Sequence, residues 1–225
     1  MDKPVAPLHS EVLARLREHI ADGRLADGAR VPERQLCEMF GISRTPLREA
    51  LKVLAAEGVV ELLPNRGARV RALDERELKE LFELMGGYEA LAGRLACNYI
   101  TDAEIAEIEQ AHHRMYGFYM RREMEAYFET NQQIHRMILL ASRNHALIPA
   151  HTALSERLRR LRFSANLTRG RDRWGEAMRE HEAMLDALHR RAGDELSNIL
   201  FQHLLNKRDA VLAYLRETPS GVTAA

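Results

Sequence analysis

Three histidines and an asparagine in the second half of the chain have the residue types and surroundings of a metal site. Asn131 and His135 are four positions apart, so they project from the same face of a helix. His181 and His203 stand in two other apolar, helix-like segments. Three imidazoles that converge from three helices would bind a transition metal, with a coordination position left for water or a ligand carboxylate.

Taken singly, each of these histidines is better explained as a buried core residue than as a metal ligand. The chain has ten histidines, and their spacing does not show which of them meet in space. Five others are predicted to lie at the surface or at helix ends: His112, His113, His145, His151 and His189. From the residues alone, the metal site and the ordinary core are both open interpretations.

A second group of polar residues, near the N-terminus, has the chemistry of DNA recognition. Arg44 and Arg48 lie one turn apart on a predicted helix and face away from its apolar side. Arginine pairs bidentately with guanine, and hydroxyls such as those of Ser43 and Thr45 bind phosphates or base edges. In a helix that enters the major groove, these four residues would lie at the N-terminal end, where bases are reached.

Two flanking segments extend this predicted DNA surface. Arg34, on the preceding short helix, is placed for a backbone phosphate or a nearby base. Asn65-Arg66-Gly67 forms the tip of a predicted hairpin that can reach the neighbouring minor groove. The alternative is that these arginines only solvate a helix and pair with acidic residues such as Glu49. This alternative is less favoured because the turn glycine, the helix cap, the paired arginines and the hairpin occur in the order that a DNA-binding domain needs.

A small helical core and a hairpin must position these DNA-facing residues. Ser43 is suited to cap the third helix, and Pro46 falls in its first turn, where proline is tolerated. This order of elements predicts a winged helix-turn-helix over residues 1–72. Apolar periodicity and turn residues give its three helices and two strands as Leu8–Asp22, Glu33–Phe40, Arg44–Gly58, Val59–Leu63 and Ala68–Arg71.

From about residue 73 only helical periodicity remains, which predicts an all-helical bundle of about six helices over residues 73–217. Asp74 is suited to cap the first of them, which runs to about Ile100. Thr101 and Glu104 form a capping box for the second, which runs to about Met120. Residues 218–225 are predicted to be a flexible tail. The other four helices are predicted over 123–142, 144–166, 171–192 and 194–216.

The composition excludes several classes of protein. The chain has 225 residues, 46% hydrophobic and 29% charged, which suits an ordinary globular protein of two modest domains. No apolar run approaches the roughly 18–20 residues that cross a bilayer, and residues 1–7 hold no signal-peptide core, so no membrane partner is expected. Two lone cysteines favour a cytoplasmic location. The net charge is zero, but basic residues outnumber acidic ones eight to five over residues 30–71.

The segment PERQLCEMFGISRTPLREALKVLAAEGVVELLPNRGARV resembles the DNA-binding domain of the GntR family of transcription regulators. The resemblance implies a homodimer on a palindromic operator in double-stranded DNA, because twofold symmetry relates the two recognition helices. By position, it also implies DNA contacts from Arg34, Ser43, Arg44, Thr45, Arg48 and Gly67.

The stretches AYFETNQQIHRMILLASRNHALI, EHEAMLDAL and FQHLL resemble the FCD ligand-binding domain of the FadR subfamily, and six helices are closest to its VanR-like branch. The resemblance implies that Asn131, His135, His181 and His203 hold a divalent transition metal, zinc or nickel, which helps to bind a small carboxylate effector. The two resemblances together cover residues 8–216. They imply a ligand-responsive repressor and not an enzyme.

Two positions depart from the pattern of these relatives. Asn131 stands where many have aspartate, and a neutral amide oxygen binds a divalent cation more weakly than a carboxylate does. Met85 stands where many carry an arginine, four positions before Glu89. Either the effector is less acidic than in these relatives, or another base such as Arg94 or Arg162 binds it. For each of these two arginines, a surface or structural role is the favoured interpretation.

Two other functions stay open at this point. One keeps DNA binding but makes the helical domain a dimerisation scaffold with a purely structural metal. The other is a metal-dependent hydrolase in which a histidine-bound metal activates water. Against the hydrolase, the chain has no HExxH motif and no carboxylate obviously paired with the histidines, and the DNA-reading segment would have no role.

Overall fold

The computed structural model describes residues 8–21, 24–164 and 173–217. The chain divides into two compact units, Met1–Asp74 and Glu75–Ala225, so the boundary predicted after residue 72 lies two residues earlier. The predicted tail, the start of the helix predicted over 171–192 and the end of that over 144–166 lie outside the described residues. In the described part of the chain, no helix has the length and apolar character that crossing a membrane requires.

The described residues of the first unit form three helices and a hairpin, in the predicted order. Its core is built from aliphatic side chains that recur on one face of each helix, among them Leu16, Leu36 and Leu47, which are at most 1% exposed. The elements are α1 (Leu8–Ala21), α2 (Glu33–Phe40), α3 (Arg44–Ala56), β1 (Val60–Leu63) and β2 (Gly67–Val70).

Local backbone chemistry sets both ends of α3. Ser43 occupies the N-cap position with an extended backbone, as predicted, but its hydroxyl makes no capping hydrogen bond. The helix ends at Ala56, two residues before the predicted end, because Gly58 adopts a φ of +71°. The Gly58 N–H then donates to the carbonyl of Ala55 at 3.0 Å and closes the last turn.

The hairpin has an additional partner that the sequence did not reveal. β1 and β2 pair antiparallel, with Val60 opposite Val70. Residues 28–31 run along the other side of β2, where Val31 N–H donates to the Ala68 carbonyl at 2.8 Å and Val70 N–H donates to the Ala29 carbonyl at 2.9 Å. These bonds attach the segment that precedes α2 to the hairpin, a pairing for which the sequence predicted no strand.

All described secondary structure of the second unit is helical, as predicted. The Thr101–Glu104 capping box forms as expected at the start of the second helix. The fourth begins at Leu147 and not at 144, because the Asn144 side-chain oxygen accepts from the Leu147 N–H at 3.0 Å. The helices are α4 (Glu75–Tyr99), α5 (Asp102–Arg121), α6 (Met124–Ala141), α7 (Leu147–Ser164), α8 (Arg173–His189) and α9 (Gly193–Glu217).

The two longest helices, α4 and α9, pack at very short range. A Cβ atom placed on Gly93 of α4 would overlap the side chain of Leu200 on α9 and would lie 3.0 Å from Cγ of Leu196. At the other end, Nη2 of Arg216 lies 3.0 Å from Oε1 of Glu75. The absence of a side chain at Gly93 therefore permits the close approach of the two helices.

We expect Gly93→Ala to lower the free energy of unfolding by about 1–3 kcal/mol, because the new methyl group must displace leucine side chains from a packed interface. Gly87→Ala on the same helix is the matched control, since no heavy atom lies within 4 Å of its added Cβ. It should raise stability by up to about 1 kcal/mol through helix propensity. Urea denaturation followed by circular dichroism measures both, and equal effects of the two variants would contradict the packing argument.

Candidate functional site

His135 on α6, His181 on α8 and His203 on α9 meet in the interior of the second unit. Their ring centroids lie 5.0–5.3 Å apart. One nitrogen of each ring lies within 4.8 Å of those of the other two. All three side chains are buried, with at most 3% exposure. The structure therefore brings together the three histidines selected from the sequence, and imidazole nitrogens are the donors that zinc and nickel prefer.

Five ring nitrogens of this cluster have no hydrogen-bond partner among the described residues. They are both nitrogens of His135, both nitrogens of His181 and Nε2 of His203. Buried polar atoms are nearly always hydrogen-bonded in folded proteins, so five such atoms in one place indicate a group that the described residues do not supply. A divalent cation fits this requirement, because each neutral imidazole offers it a lone pair.

The surroundings of the cluster favour neutral imidazoles. Burial lowers the pKa of His135, although the neighbouring Glu89 carboxylate opposes this shift. Burial, together with nearby positive charge that includes Lys207, holds the pKa of His181 and of His203 well below the usual range. The neutral form is the one that binds a metal, so the interior keeps the rings in their ligand state.

Asn131 adjoins this cluster on α6, one turn before His135. It is 1% exposed, and both its amide oxygen and its amide nitrogen are without a hydrogen-bond partner in the described part of the chain. An amide buried in this way is costly unless something binds it. Its oxygen therefore fits the predicted role of an additional, uncharged donor.

A buried carboxylate, Glu89 of α4, lies next to His135 of the cluster. Its Oε2 lies 2.6 Å from Nδ1 of His135, although the two atoms are not aligned as a hydrogen bond. Its Oε1 lies 3.4 Å from Nε2 of His151. Burial alone would raise the pKa of Glu89, but His135, His151 and Arg162 outweigh it and hold that pKa well below its usual range. Glu89 is therefore a buried anion.

A cavity of about 380 Å³ opens beside His135 and is lined by side chains of α6 and α7. Arg162 lines this cavity and is only 1% exposed. Its Nη1 donates to the Ser155 hydroxyl at 3.1 Å, and its Nη2 lies 3.5 Å from Oε1 of Glu89. Its Nε has no partner among the described residues. A buried guanidinium with spare donors is suited to bind an anion such as a carboxylate.

Arg94 does not line this cavity. Its side chain is 56% exposed, and its Nε lies 2.9 Å from a carboxylate oxygen of Asp194. The prediction that Arg94 could bind the effector is therefore corrected. Its charge faces solvent and a surface aspartate, so the alternative of a surface arginine describes it better.

The histidines predicted at the surface divide into two groups. His113, His145 and His189 are exposed, as predicted. His112 and His151 are buried, with 7% and 5% exposure, so the prediction for them is wrong. Both lie on helix faces that pack against neighbouring helices.

Three further charged residues of the cluster were missed in the sequence: Glu180, Arg173 and Lys207. Oε2 of Glu180 lies 2.5 Å from Nδ1 of His203 and 2.9 Å from Nη2 of Arg173. Arg173 and Lys207 are each 2% exposed, and burial holds the pKa of Lys207 well below its usual range. Lys207 lies four positions after His203. The same spacing separates Asn131 from His135, so it could have indicated Lys207 as a candidate site residue from the sequence.

The residues predicted to open the recognition helix are accessible on the first unit. Ser43, Arg44 and Thr45 are exposed at the N-terminal end of α3. Arg48, one turn later, is 62% exposed, and its Nε lies 3.2 Å from Oε2 of Glu33. An exposed pair of this kind contributes little to stability, so the guanidinium can exchange Glu33 for a DNA group.

The flanking DNA residues are similarly placed. The Arg34 side chain is 82% exposed, and its Nε lies 3.4 Å from Oε1 of Glu38. Arg66 is exposed in the hairpin turn. Gly67 has a φ of +80°, and a Cβ there would lie 2.8 Å from Oε1 of Glu33. Glycine at this position therefore lets the hairpin approach the start of α2.

The comparisons with known proteins assign both units. The model described as "Bacterial regulatory proteins, gntR family" matches residues 8–70, and the FCD domain model matches residues 80–206. The chain belongs to the GntR family. Its GntR-type DNA-binding segment and FCD domain together account for most of its length, and neither model describes an enzyme.

Named relatives of this GntR-family chain are transcription regulators. It is 34% identical to a "Probable D-xylose utilization operon transcriptional repressor" of Paenarthrobacter nicotinovorans, over 92% of this chain and 88% of that protein. It is 26% identical to the "Galactonate operon transcriptional repressor" of Escherichia coli strain K12, over 81% and 87%. The solved structure "E. coli McbR/YncC" has the same fold, with a TM-score of 0.80 at 21% identity, over 95% and 100%.

We expect His135→Ala and His203→Ala each to remove bound metal while the chain stays folded, because each deletes one of three clustered donors. His113→Ala is the control, since that histidine is exposed on α5. Elemental analysis of the purified full-length proteins, with circular dichroism to verify folding, measures the outcome. An unchanged metal content in both cluster variants would show that these histidines are not the ligands.

Proposed function

We propose that this GntR-family chain is a ligand-responsive repressor, whose affinity for its operator changes when a small carboxylate binds in the second unit. The observation that carries the proposal is the cavity next to the histidine cluster, which Arg162 lines. A pocket that combines one of the clustered histidines, His135, with a buried guanidinium suits an anionic ligand better than a neutral one.

The proposed metal is a divalent transition-metal ion, zinc or nickel. Its donors would be the nitrogens of His135, His181 and His203, with the amide oxygen of Asn131, and the unpartnered state of these atoms supports the assignment. When bound, the ion supplies a fixed positive charge and a position at which a ligand oxygen can coordinate. Arg162 would bind the ligand's carboxylate from the cavity side.

The size of the cavity and the names of relatives both bear on the ligand class. A volume of about 380 Å³ lies at the small end of the usual ligand pockets, which span about 300–1,000 Å³. The names of two relatives refer to D-xylose utilisation and to galactonate, and galactonate is itself a small carboxylate. Sugar acids are therefore the first class to test on this chain.

The proposed DNA surface is the N-terminal end of α3 with its flanking segments. A homodimer would present two such surfaces to the two halves of a palindromic operator. Base readout is assigned to the start of α3, and positioning on the backbone or minor groove to α2 and the hairpin. The residues are Arg34, Ser43, Arg44, Thr45, Arg48, Arg66 and Gly67.

The ligand must bind two states of the protein unequally if it is to change DNA affinity. α4 is suited to carry such a difference, because it holds Glu89 in the cluster and begins at Glu75, directly after the last residue of the first unit. A ligand that engages Arg162 also alters the surroundings of Glu89, since the two side chains are neighbours.

We expect a panel of sugar acids and other small carboxylates to include compounds that raise the melting temperature of the metal-loaded protein. Arg162→Lys should abolish or strongly reduce this shift, because it loses the planar, bidentate donor geometry while it keeps the charge. Arg94→Ala is the control and should retain the shift. Differential scanning fluorimetry measures it. A panel with no saturable stabiliser would favour a purely structural metal site.

We expect Arg44→Ala to weaken binding to the preferred operator by about 1–3 kcal/mol and to relax base preference at the contacted position. Arg44→Lys keeps the charge but loses bidentate pairing, so a phosphate contact would survive this change and a guanine contact would not. Fluorescence anisotropy on an operator selected by the purified protein from random DNA measures both. Wild-type affinity in the alanine variant would contradict the placement of α3 in the major groove.

A further inference from the structure

The carboxylate of Glu180 is the meeting point of three side chains from α8 and α9. Its Oε2 lies 2.5 Å from Nδ1 of His203. Arg173 donates to both carboxylate oxygens, at 3.2 Å and 2.9 Å. The Asn206 amide donates to Oε1 at 2.7 Å. Both oxygens are thus engaged, so the carboxylate is held in one orientation next to the imidazole.

We infer that Glu180 is the positioning residue of the histidine cluster, and that it fixes His203 in the tautomer whose Nε2 is free to bind a cation. The inference rests on the proposed metal site and adds to it a residue that makes no direct contact with the ion. In this arrangement His203 is the pre-oriented histidine, and Glu180 is the residue that orients it.

The chemistry of the two partners determines the tautomer. An ionised carboxylate only accepts hydrogen bonds, so the Nδ1 of His203 that faces Glu180 must carry the proton. The other nitrogen, Nε2, then has its lone pair free. This Nε2 is buried and without a hydrogen-bond partner among the described residues, and His203 is 0% exposed. A carboxylate behind a metal-binding histidine typically strengthens metal binding in this way.

Arg173 and Asn206 hold the Glu180 carboxylate in one place. The Arg173 guanidinium is 2% exposed and binds Glu180 through two nitrogens, a geometry that is both strong and directional. Asn206 lies one turn after His203 on α9, so the same helix supplies the imidazole and a donor to the carboxylate behind it. The position of His203 relative to α8 is therefore determined before any ion binds.

The other two histidines lack a comparable arrangement. Nδ1 of His135 is close to Glu89, but the contact is not aligned as a hydrogen bond. Neither ring nitrogen of His181 has a partner within the described ranges. His203 is thus the best-oriented donor of the three, and Glu180 is the residue whose loss should affect the metal most without removal of a ligand.

Cobalt(II) titration of the full-length, metal-stripped protein tests this role. Glu180→Gln keeps the size of the side chain and an accepting oxygen but removes the negative charge. We expect it to weaken Co(II) binding by about 10-fold or more and to change the visible d–d absorption of the bound ion. Glu182→Gln is the control, because that carboxylate is exposed on the same helix, and it should leave affinity and spectrum unchanged.

The outcomes separate this inference from the proposed function. If the wild-type protein takes up no Co(II), the metal site itself is overturned and this inference with it. If the wild-type protein binds Co(II) and Glu180→Gln binds it with equal affinity and spectrum, the metal site stands and only the role of Glu180 is overturned.

A measurement on the wild-type protein keeps the inference testable if Glu180→Gln fails to fold. Long-range ¹H–¹⁵N spectra of the zinc-loaded protein report the state of each ring nitrogen of His203. We expect a protonated Nδ1 and a metal-bound Nε2. A metal-bound Nδ1 would overturn the inference, because the nitrogen that faces Glu180 would then be the ligand.

Discussion

The Glu89 carboxylate is buried inside the helical unit, where an ion without a partner is unfavourable by several kcal/mol, and the Glu180 carboxylate is partly buried, with 19% of its side chain exposed. Each is accompanied by a buried arginine, Arg162 for the first and Arg173 for the second. Contacts of the two carboxylates also join helices: Glu89 joins α4 to α6 and α7 through His135 and Arg162, and Glu180 joins α8 to α9 through His203. Each carboxylate thus adjoins one histidine of the cluster, and this arrangement defines the candidate site.

Much of the architecture was predictable because it depends on local chemistry. The bounds of α2 and the capping box of α5 follow from apolar spacing and from the hydrogen-bonding capacity of nearby side chains. The three clustered histidines were selected through a family resemblance, since spacing alone could not show that they meet. Glu180 and Arg173 escaped prediction because their role depends on how α8 packs against α9, which the spacing of residues within one helix does not show. The error at His112 and His151 has the same origin, since burial depends on which face another helix covers.

In the first unit, one acidic residue connects the parts of the proposed DNA surface. Glu33 is the first residue of α2 and pairs with Arg48 of α3. Its carboxylate also occupies the space that a side chain at position 67 of the hairpin would need. A carboxylate on such a surface repels phosphate unless it is neutralised, and Arg48 neutralises it in the absence of DNA. The net basic charge of this region is small, so selectivity has to come from the placement of a few guanidinium groups and not from overall attraction.

The side-chain-free contact at Gly93 has a mechanical consequence. Because Leu200 occupies the space above that glycine, α4 and α9 interlock and cannot slide along each other without lifting a leucine over the backbone. Glu89 and His203 lie on these two helices, so the interlock couples the cluster to both. At the far end the Arg216–Glu75 pair joins them again. The interlock at Gly93 and this ion pair therefore restrain α4 and α9 against each other at two separate places along their length.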